Sequence, residues 1–182
     1  MKLFNLNFFV LFLLFTANSF SVYSQKNEVL EIRKGMLLAI KSPKATDSLY
    51  KNLDAINKKT PLVLGYFGAL QALKAKDSWN PYKKVKLLVA SHKTMEQAVN
   101  ASPNDMEIRF LRFSIQFYLP GFLGLSKDMA SDKNMLIQQL KQKHYGLADK
   151  DYLKNIIKFM VDSKQCTAQE VAFLHEQSAA LK

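Results

Sequence analysis

The sequence contains little of what usually supports catalysis or covalent stability in a small exported protein. It has one cysteine among 182 residues, so no internal disulfide can form and stability must come from packing. Only three of its 26 basic residues are arginine. Motifs for a serine nucleophile elbow, a phosphate-binding loop, a dinucleotide fingerprint, a His-Glu-x-x-His zinc site and a Cys-x-x-Cys pair are all absent. We therefore expect no enzyme activity, no metal site and no cofactor.

The first 24 residues have the layout of a secretory signal peptide. Lys2 is followed by an apolar stretch with an uninterrupted core at 8–15, and then by small and polar residues up to Ser24. The apolar core is far shorter than the roughly 20 residues that span a bilayer, which favours cleavage, with an uncleaved anchor as the alternative. We expect cleavage after Ser24. Residues 25–182 would then be a single all-helical domain, exported to the periplasm or cell envelope and soluble, without a transmembrane anchor.

Four of the five prolines directly follow a residue type that caps helices. An N-cap side chain accepts a hydrogen bond from the first turn, and a proline at the next position has a preset φ and no amide left unpaired. Successive pairs lie about 20 residues apart, which fits one helix of about four turns and a short connection in each interval. The pairs therefore predict four helix starts, at Ser42-Pro43, Thr60-Pro61, Asn80-Pro81 and Ser102-Pro103.

Hydrophobic periodicity predicts the other helices and no β-strand. The last helix has a strong start, because Thr167 and Glu170 form a capping box. Together the signals predict an all-α fold of about seven to eight helices, stacked as antiparallel hairpins in a superhelix or an irregular helical bundle. The predicted ranges are 26–41, 44–57, 61–76, 81–101, 104–118, 127–143, 150–162 and 168–181.

Small residues form a stripe along the helix predicted over 61–76. Gly65, Gly68, Ala72 and Ala75 recur at steps of three and four residues, so they share one face. Glycine costs about 1 kcal/mol of helix propensity relative to alanine. Two glycines in one helix therefore indicate that another helix packs closely against this stripe.

Two segments in the middle third of the chain are similar to the tetratricopeptide repeat. Ala98 lies five residues before Pro103, as an alanine does at the end of the second helix of that repeat. Leu64-Gly65 is similar to the Leu-Gly pair of its first helix. The resemblance implies a right-handed superhelix of helix pairs whose concave face binds peptides or protein segments.

Arg109 and Arg112 are the most informative polar residues, because they lie one turn apart on the most apolar helix, 104–118. A guanidinium group suits two-point binding of a carboxylate in a partly buried setting. The two arginines either anchor an anionic ligand or an acidic partner segment, or they pair internally. The candidate internal acids are Asp105, Asp128 and Asp132.

The candidate binding site combines these arginines with their polar and apolar neighbours. Gln116 continues the same polar line of the helix. An apolar loop follows Pro120-Gly121 and would border the entrance of a cavity, if one is present. A second basic area is formed by the lysines near 83–86. The predicted ligand- or partner-binding residues are Arg109, Arg112, Gln116, Phe122 and Leu125.

These features predict a binding protein. The formal net charge of +11 favours anionic partners, but nucleic acid is not expected for an exported chain without a recognition motif. The first hypothesis is a helical-repeat interaction module of the bacterial cell envelope, with protein or peptide segments, including acidic ones, as partners. The alternative is a small periplasmic carrier of an anionic or amphipathic envelope ligand.

Overall fold

The computed structural model describes residues 27–181, so the predicted signal peptide lies outside the described part of the chain. Residues 27–181 contain eight α-helices and no β-strand, which confirms the all-α prediction. A 3₁₀ turn, Gly121–Leu123, lies between the fifth and sixth helices. The helices are α1 (27–39), α2 (Pro43–Asp54), α3 (Pro61–Lys76), α4 (Pro81–Ala101), α5 (Met106–Tyr118), α6 (Met129–Gln142), α7 (Lys150–Asp162) and α8 (Ala168–Ala180).

Three of the four predicted proline starts are confirmed. The side chains of Ser42, Thr60 and Asn80 each accept a hydrogen bond from the backbone amide three residues further on, at 3.4, 3.3 and 3.1 Å. In each case the proline that follows is the first residue of the helix. These starts were predictable because a cap involves only residues that are adjacent in sequence.

The fourth proline start is wrong. Ser102 closes α4, since its amide donates to the carbonyl of Ala98 at 3.0 Å, and Pro103 lies in the turn that follows. The N-cap of α5 is Asp105, whose Oδ1 accepts from the amides of residues 107 and 108 at 2.9 and 3.1 Å. Helix α5 therefore begins at Met106 rather than at residue 104.

Helix α3 approaches two other helices at its glycines, as the small-residue stripe predicts. A Cβ at Gly68 would lie 3.2 Å from the Met95 side chain on α4, and one at Gly65 would lie 3.5 Å from Leu111 on α5. The Ser91 hydroxyl also donates to the carbonyl of Gly68 at 2.8 Å. Helices α3 and α4 thus form a tightly packed antiparallel hairpin.

Helix α5 contributes to both hydrophobic clusters of the described chain. It supplies Ile108 and Leu111 to a first cluster with residues of α1 to α4, and Met106 and Phe113 to a second cluster with residues of α6 to α8. This position agrees with its composition, which is apolar on most sides. Its few charged side chains must therefore find partners inside the protein.

Candidate functional site

Arg109 and Arg112 converge on one buried carboxylate, that of Asp132 on α6. Arg112 binds it at two points, with Nε 2.7 Å from Oδ2 and Nη2 2.7 Å from Oδ1. Arg109 Nη1 donates to Oδ1 at 2.8 Å, and its Nε donates to the carbonyl of Pro103 at 2.8 Å. Asp132 has no exposed surface. We call these three residues the Asp132 cluster.

The structure therefore contains the internal pairing that the sequence left as an alternative. Burial by itself lowers the pKa of the Arg112 guanidinium, but the hydrogen bond and charge of Asp132 outweigh it, and the pKa is raised. In each arginine, two of the three guanidinium nitrogens donate hydrogen bonds inside the protein. Binding of a partner through these side chains stays a prediction, and it would have to compete with Asp132.

Of the other predicted site residues, only Gln116 is linked to the Asp132 cluster, through Asp128. Gln116 is buried, and its Nε2 donates to Asp128 Oδ2 at 3.3 Å, while its Oε1 is buried without a hydrogen bond. Phe122 and Leu125 lie on the connection from α5 to α6. Phe122 is 88% exposed, whereas Leu125 is partly buried. The polar residues are thus brought together, and Phe122 faces solvent.

A second buried ion pair lies between Glu107 on α5 and Arg33 on α1. Arg33 donates from Nε to Oε1 at 2.8 Å and from Nη2 to Oε2 at 2.6 Å, and Nη2 also lies 3.2 Å from the carbonyl of Leu147. The hydroxyl of Tyr66 on α3 donates to Glu107 Oε1. The Arg33 guanidinium stacks over the ring of Tyr152 on α7, 4.3 Å from its centroid. We call these residues the Glu107 cluster.

The Glu107 cluster connects four helices, α1, α3, α5 and α7, through buried polar contacts. Burial raises the pKa of the Tyr66 hydroxyl, and the negative charge of Glu107 raises it further. Burial likewise raises the pKa of Tyr152, with Glu107 and Tyr66 adding to the effect. Both phenols therefore stay neutral at physiological pH, and both oxygens of Glu107 are engaged.

Sequence reasoning missed the Glu107 cluster, although one signal was present. Arg33 shares the apolar face of α1 with Val29 and Met36, and a charge on such a face needs a buried partner. The partner lies 74 residues away. Sequence spacing alone does not identify a partner at that distance.

Exposed apolar side chains gather where α3 turns into α4. Trp79, the only tryptophan of the chain, is fully exposed. Tyr82, Val85 and Val89 follow at helical spacing on α4, and they are 78, 46 and 51% exposed. Every residue from 81 to 86 is exposed, so this end of α4 projects beyond the core. A row of this kind without an internal partner is typical of a contact surface.

Several exposed lysines lie next to these apolar side chains in the sequence. We define the Trp79 surface as the four apolar residues Trp79, Tyr82, Val85 and Val89 together with Lys76, Lys83, Lys84 and Lys86. The end of α1 lies beside it, because Lys76 Nζ is 3.5 Å from the carbonyl of Ile40. Nearby, a hydrogen bond from Lys74 lowers the pKa of Asp47, and the charges of Lys51 and Lys83 add to that effect. The charge of these lysines therefore acts on the neighbouring Asp47.

A polar depression of about 400 Å³ lies between the start of α5 and the end of α6. Its lining contains no lysine or arginine, so it offers an anionic ligand no permanent positive charge. Within residues 27–181 no group of three His, Cys, Asp or Glu side chains could hold a metal ion. In the same range no helix is both long and apolar enough to cross a membrane. The lining residues are Asn104, Asp105, Met106, Gln138, Gln139, Gln142, His144 and Gly146.

No protein-family model, curated protein or solved structure matches this chain.

Proposed function

We propose that the protein is an exported interaction module of the bacterial cell envelope that acts by binding and not by catalysis. The observation behind this proposal is a contrast between the inside and the surface. The charged groups of α5 are neutralised by Arg33 and Asp132, whereas the apolar and cationic side chains around Trp79 have no comparable partners within the described chain. The Trp79 surface is thus the best candidate for a contact with another molecule.

The arrangement of helices is compatible with a helix-pair repeat. Consecutive helices pack as α3 with α4, α5 with α6 and α7 with α8, and α2 also packs against α3. The tetratricopeptide resemblance belongs to this proposal, and it would predict a protein or peptide segment on a concave face. The exposed aromatic residues Trp79 and Tyr82 lie at a projecting turn instead, so we place the contact there.

The alternative, a carrier of a small anionic ligand, receives less support. The arginines that would bind the anion are already paired with Asp132, and the polar depression near His144 lacks lysine and arginine. An anion would have to displace a buried carboxylate from a two-point contact, which is costly. We therefore retain the interaction module.

The proposal can be tested by photo-crosslinking in intact cells. A photoreactive amino acid replaces Trp79 in one variant and Lys154, an exposed residue of α7, in the control. Illumination should give covalent adducts from position 79 and few from position 154. Equal labelling at both positions, or no adduct from position 79, would contradict an interaction function at this surface.

A further inference from the structure

We propose that the partner of the Trp79 surface is an anionic lipid bilayer, with the aromatic tip entering the headgroup region and the lysines facing the lipid phosphates. This inference depends on the proposed interaction function and specifies its partner. Binding to a bilayer requires no groove or cleft in the protein. It requires a convex surface with an apolar tip and cations around that tip.

The shape of the surface favours a bilayer over a peptide. Trp79 lies in the turn between two antiparallel helices, and the first six residues of α4 are exposed on all sides. Such a tip can enter a soft interface to a depth of about 5–10 Å, as amphipathic membrane-surface helices do. Helical and proline-rich peptide segments bind in apolar or aromatic-lined grooves instead.

The composition of the surface also favours a bilayer over a protein partner. Tryptophan and tyrosine are enriched at membrane–water interfaces, where an apolar ring with a polar edge fits the headgroup region. Protein–protein interfaces favour arginine and are depleted in lysine. All three arginines of this chain lie outside the Trp79 surface, two of them in the Asp132 cluster and one in the Glu107 cluster. The cations that surround Trp79 are all lysines.

The charge of the surface is complementary to an anionic membrane. The segment 74–86 contains five lysines and a single acid, Asp77, which is exposed. The nearby Asp47 forms an ion pair with Lys74. Lys84 and Lys86 have no ion pair within the described residues. Each lysine close to an anionic surface strengthens binding by about fivefold.

Trp79 makes the test direct, because the fluorescence of the only tryptophan reports on this surface. The exported protein is purified in the N-terminal form that cells produce and mixed with vesicles of phosphatidylglycerol and phosphatidylcholine. We expect the protein to sediment with these vesicles, with a blue shift of Trp79 emission. Phosphatidylcholine vesicles should bind much less protein, and added salt should weaken binding to the anionic vesicles.

Matched variants separate the surface from general basicity. K83Q/K84Q/K86Q should weaken binding by about a hundredfold, which is about fivefold for each lysine. The control K143Q/K154Q/K164Q removes the same charge from exposed positions on the α6 to α8 part of the chain and should change binding little. W79A should weaken binding several-fold. All seven side chains are exposed, so the variants are expected to fold.

Even where the protein binds vesicles, three outcomes would overturn the inference. One is equal loss of vesicle binding in the two lysine triple variants. Another is binding without any change in Trp79 emission. The third is tighter binding to poly-glutamate than to anionic vesicles, which would make an acidic protein segment the partner. If position 79 forms adducts in cells but the protein does not bind vesicles, the interaction function is supported and the bilayer inference is wrong. If neither occurs, both fail.

Discussion

Arg112 and Asp132 form a two-point ion pair between α5 and α6, with both contacts at 2.7 Å and the carboxylate fully buried. Arg109 shares the same carboxylate. One negative charge thus serves two positive charges in the protein interior. Loss of the acid should lower the free energy of unfolding strongly, because two buried guanidinium groups would be left unpaired.

Asp132→Asn should destabilise the protein by about 3–5 kcal/mol, the cost of breaking a buried pair. Asp128→Asn is the matched control, since the Asp128 side chain is 26% exposed and lies 3.8 Å from Arg112. That change should cost less than about 1 kcal/mol. Urea denaturation of both variants measures the difference. Equal stability of the two variants would show that the Asp132 cluster contributes little to folding.

Tyr66→Phe should remove one hydrogen bond from Glu107 and cost about 1–3 kcal/mol at neutral pH. Tyr82→Phe is the control, because the Tyr82 side chain is 78% exposed and should change stability by less than about 0.5 kcal/mol. The wild type should also lose stability as the pH rises above about 10, since the folded pKa of Tyr66 is raised and the unfolded chain then releases its proton more readily.

The alkaline loss should be shallower in Tyr66→Phe, which has no hydroxyl to titrate at that position. Denaturation midpoints between neutral and alkaline pH measure this slope. If wild type and Tyr66→Phe lose stability in parallel, the buried hydroxyl is not coupled to Glu107 as the structure indicates.

The local features of the fold could be predicted from the sequence, and the long-range features could not. The caps at Ser42, Thr60 and Asn80 and the capping box of Thr167 and Glu170 involve neighbours along the chain, and all are present. The start at Ser102-Pro103 was wrong because two cap residues lie close together and the preceding helix uses the first.

The C-terminal end of α6 departs from the usual residue preference for helix ends. Its C-cap is Lys143, which has a left-handed φ of 56°. Gly146 has φ 57° in the connection that follows. Helix α6 therefore closes on a lysine, which sequence preference alone disfavours.

The candidate site could also be predicted only in part. Arg109 and Arg112 could be recognised as buried cations from the apolar helix around them, but the choice of Asp132 over Asp105 and Asp128 depends on how α6 packs. Trp79 gave no pattern of its own, because a single aromatic residue beside a turn does not show from the sequence whether its side chain is buried or exposed. Its full exposure is a consequence of how far α4 extends past the core.

The glycines of α3 predict opposite effects of enlargement. Gly68→Leu should destabilise by about 1–3 kcal/mol, because even a Cβ would lie 3.2 Å from Met95 and a leucine overpacks the α3–α4 contact. Gly65→Ala should be neutral or stabilise by up to about 1 kcal/mol, because its Cβ meets Leu111 at an ordinary 3.5 Å and alanine favours the helix. Thermal denaturation distinguishes them. Greater stability of Gly68→Leu would contradict the close packing.

The export prediction concerns residues outside the described part of the chain. If residues 1–24 are a signal peptide, N-terminal sequencing of the protein from a cell-envelope fraction should begin at Gln25, and alkaline extraction should release it from the membrane. Electrostatic binding to lipid would also be reversed by such washing together with high salt. Recovery of a membrane-retained chain that begins at Met1 would favour the uncleaved anchor.

Glu170 links the start of α8 to α6 and predicts a pH dependence of stability in acid. Its Oε2 accepts from Lys133 Nζ at 2.9 Å and from the Thr167 amide at 2.7 Å. Burial tends to raise the pKa of Glu170, but the hydrogen bonds from Lys133 and Thr167 outweigh it, so the folded pKa lies below the ordinary value of 4.5. The stabilisation is therefore complete above the unfolded pKa and is lost as the pH falls through the folded value.

Glu170→Gln keeps a side chain that can cap the helix and removes only the charge. It should cost up to about 1 kcal/mol at neutral pH, since the pair is partly exposed to solvent and screened. The difference from wild type should shrink as the pH falls below about 4. Thr167→Ala, in contrast, should cost about 0.5–2 kcal/mol, with the larger part of the loss remaining in acid. Stability curves of the three proteins from neutral to acidic pH test this, and a Glu170→Gln deficit that stays constant with pH would rule out the charged contact with Lys133.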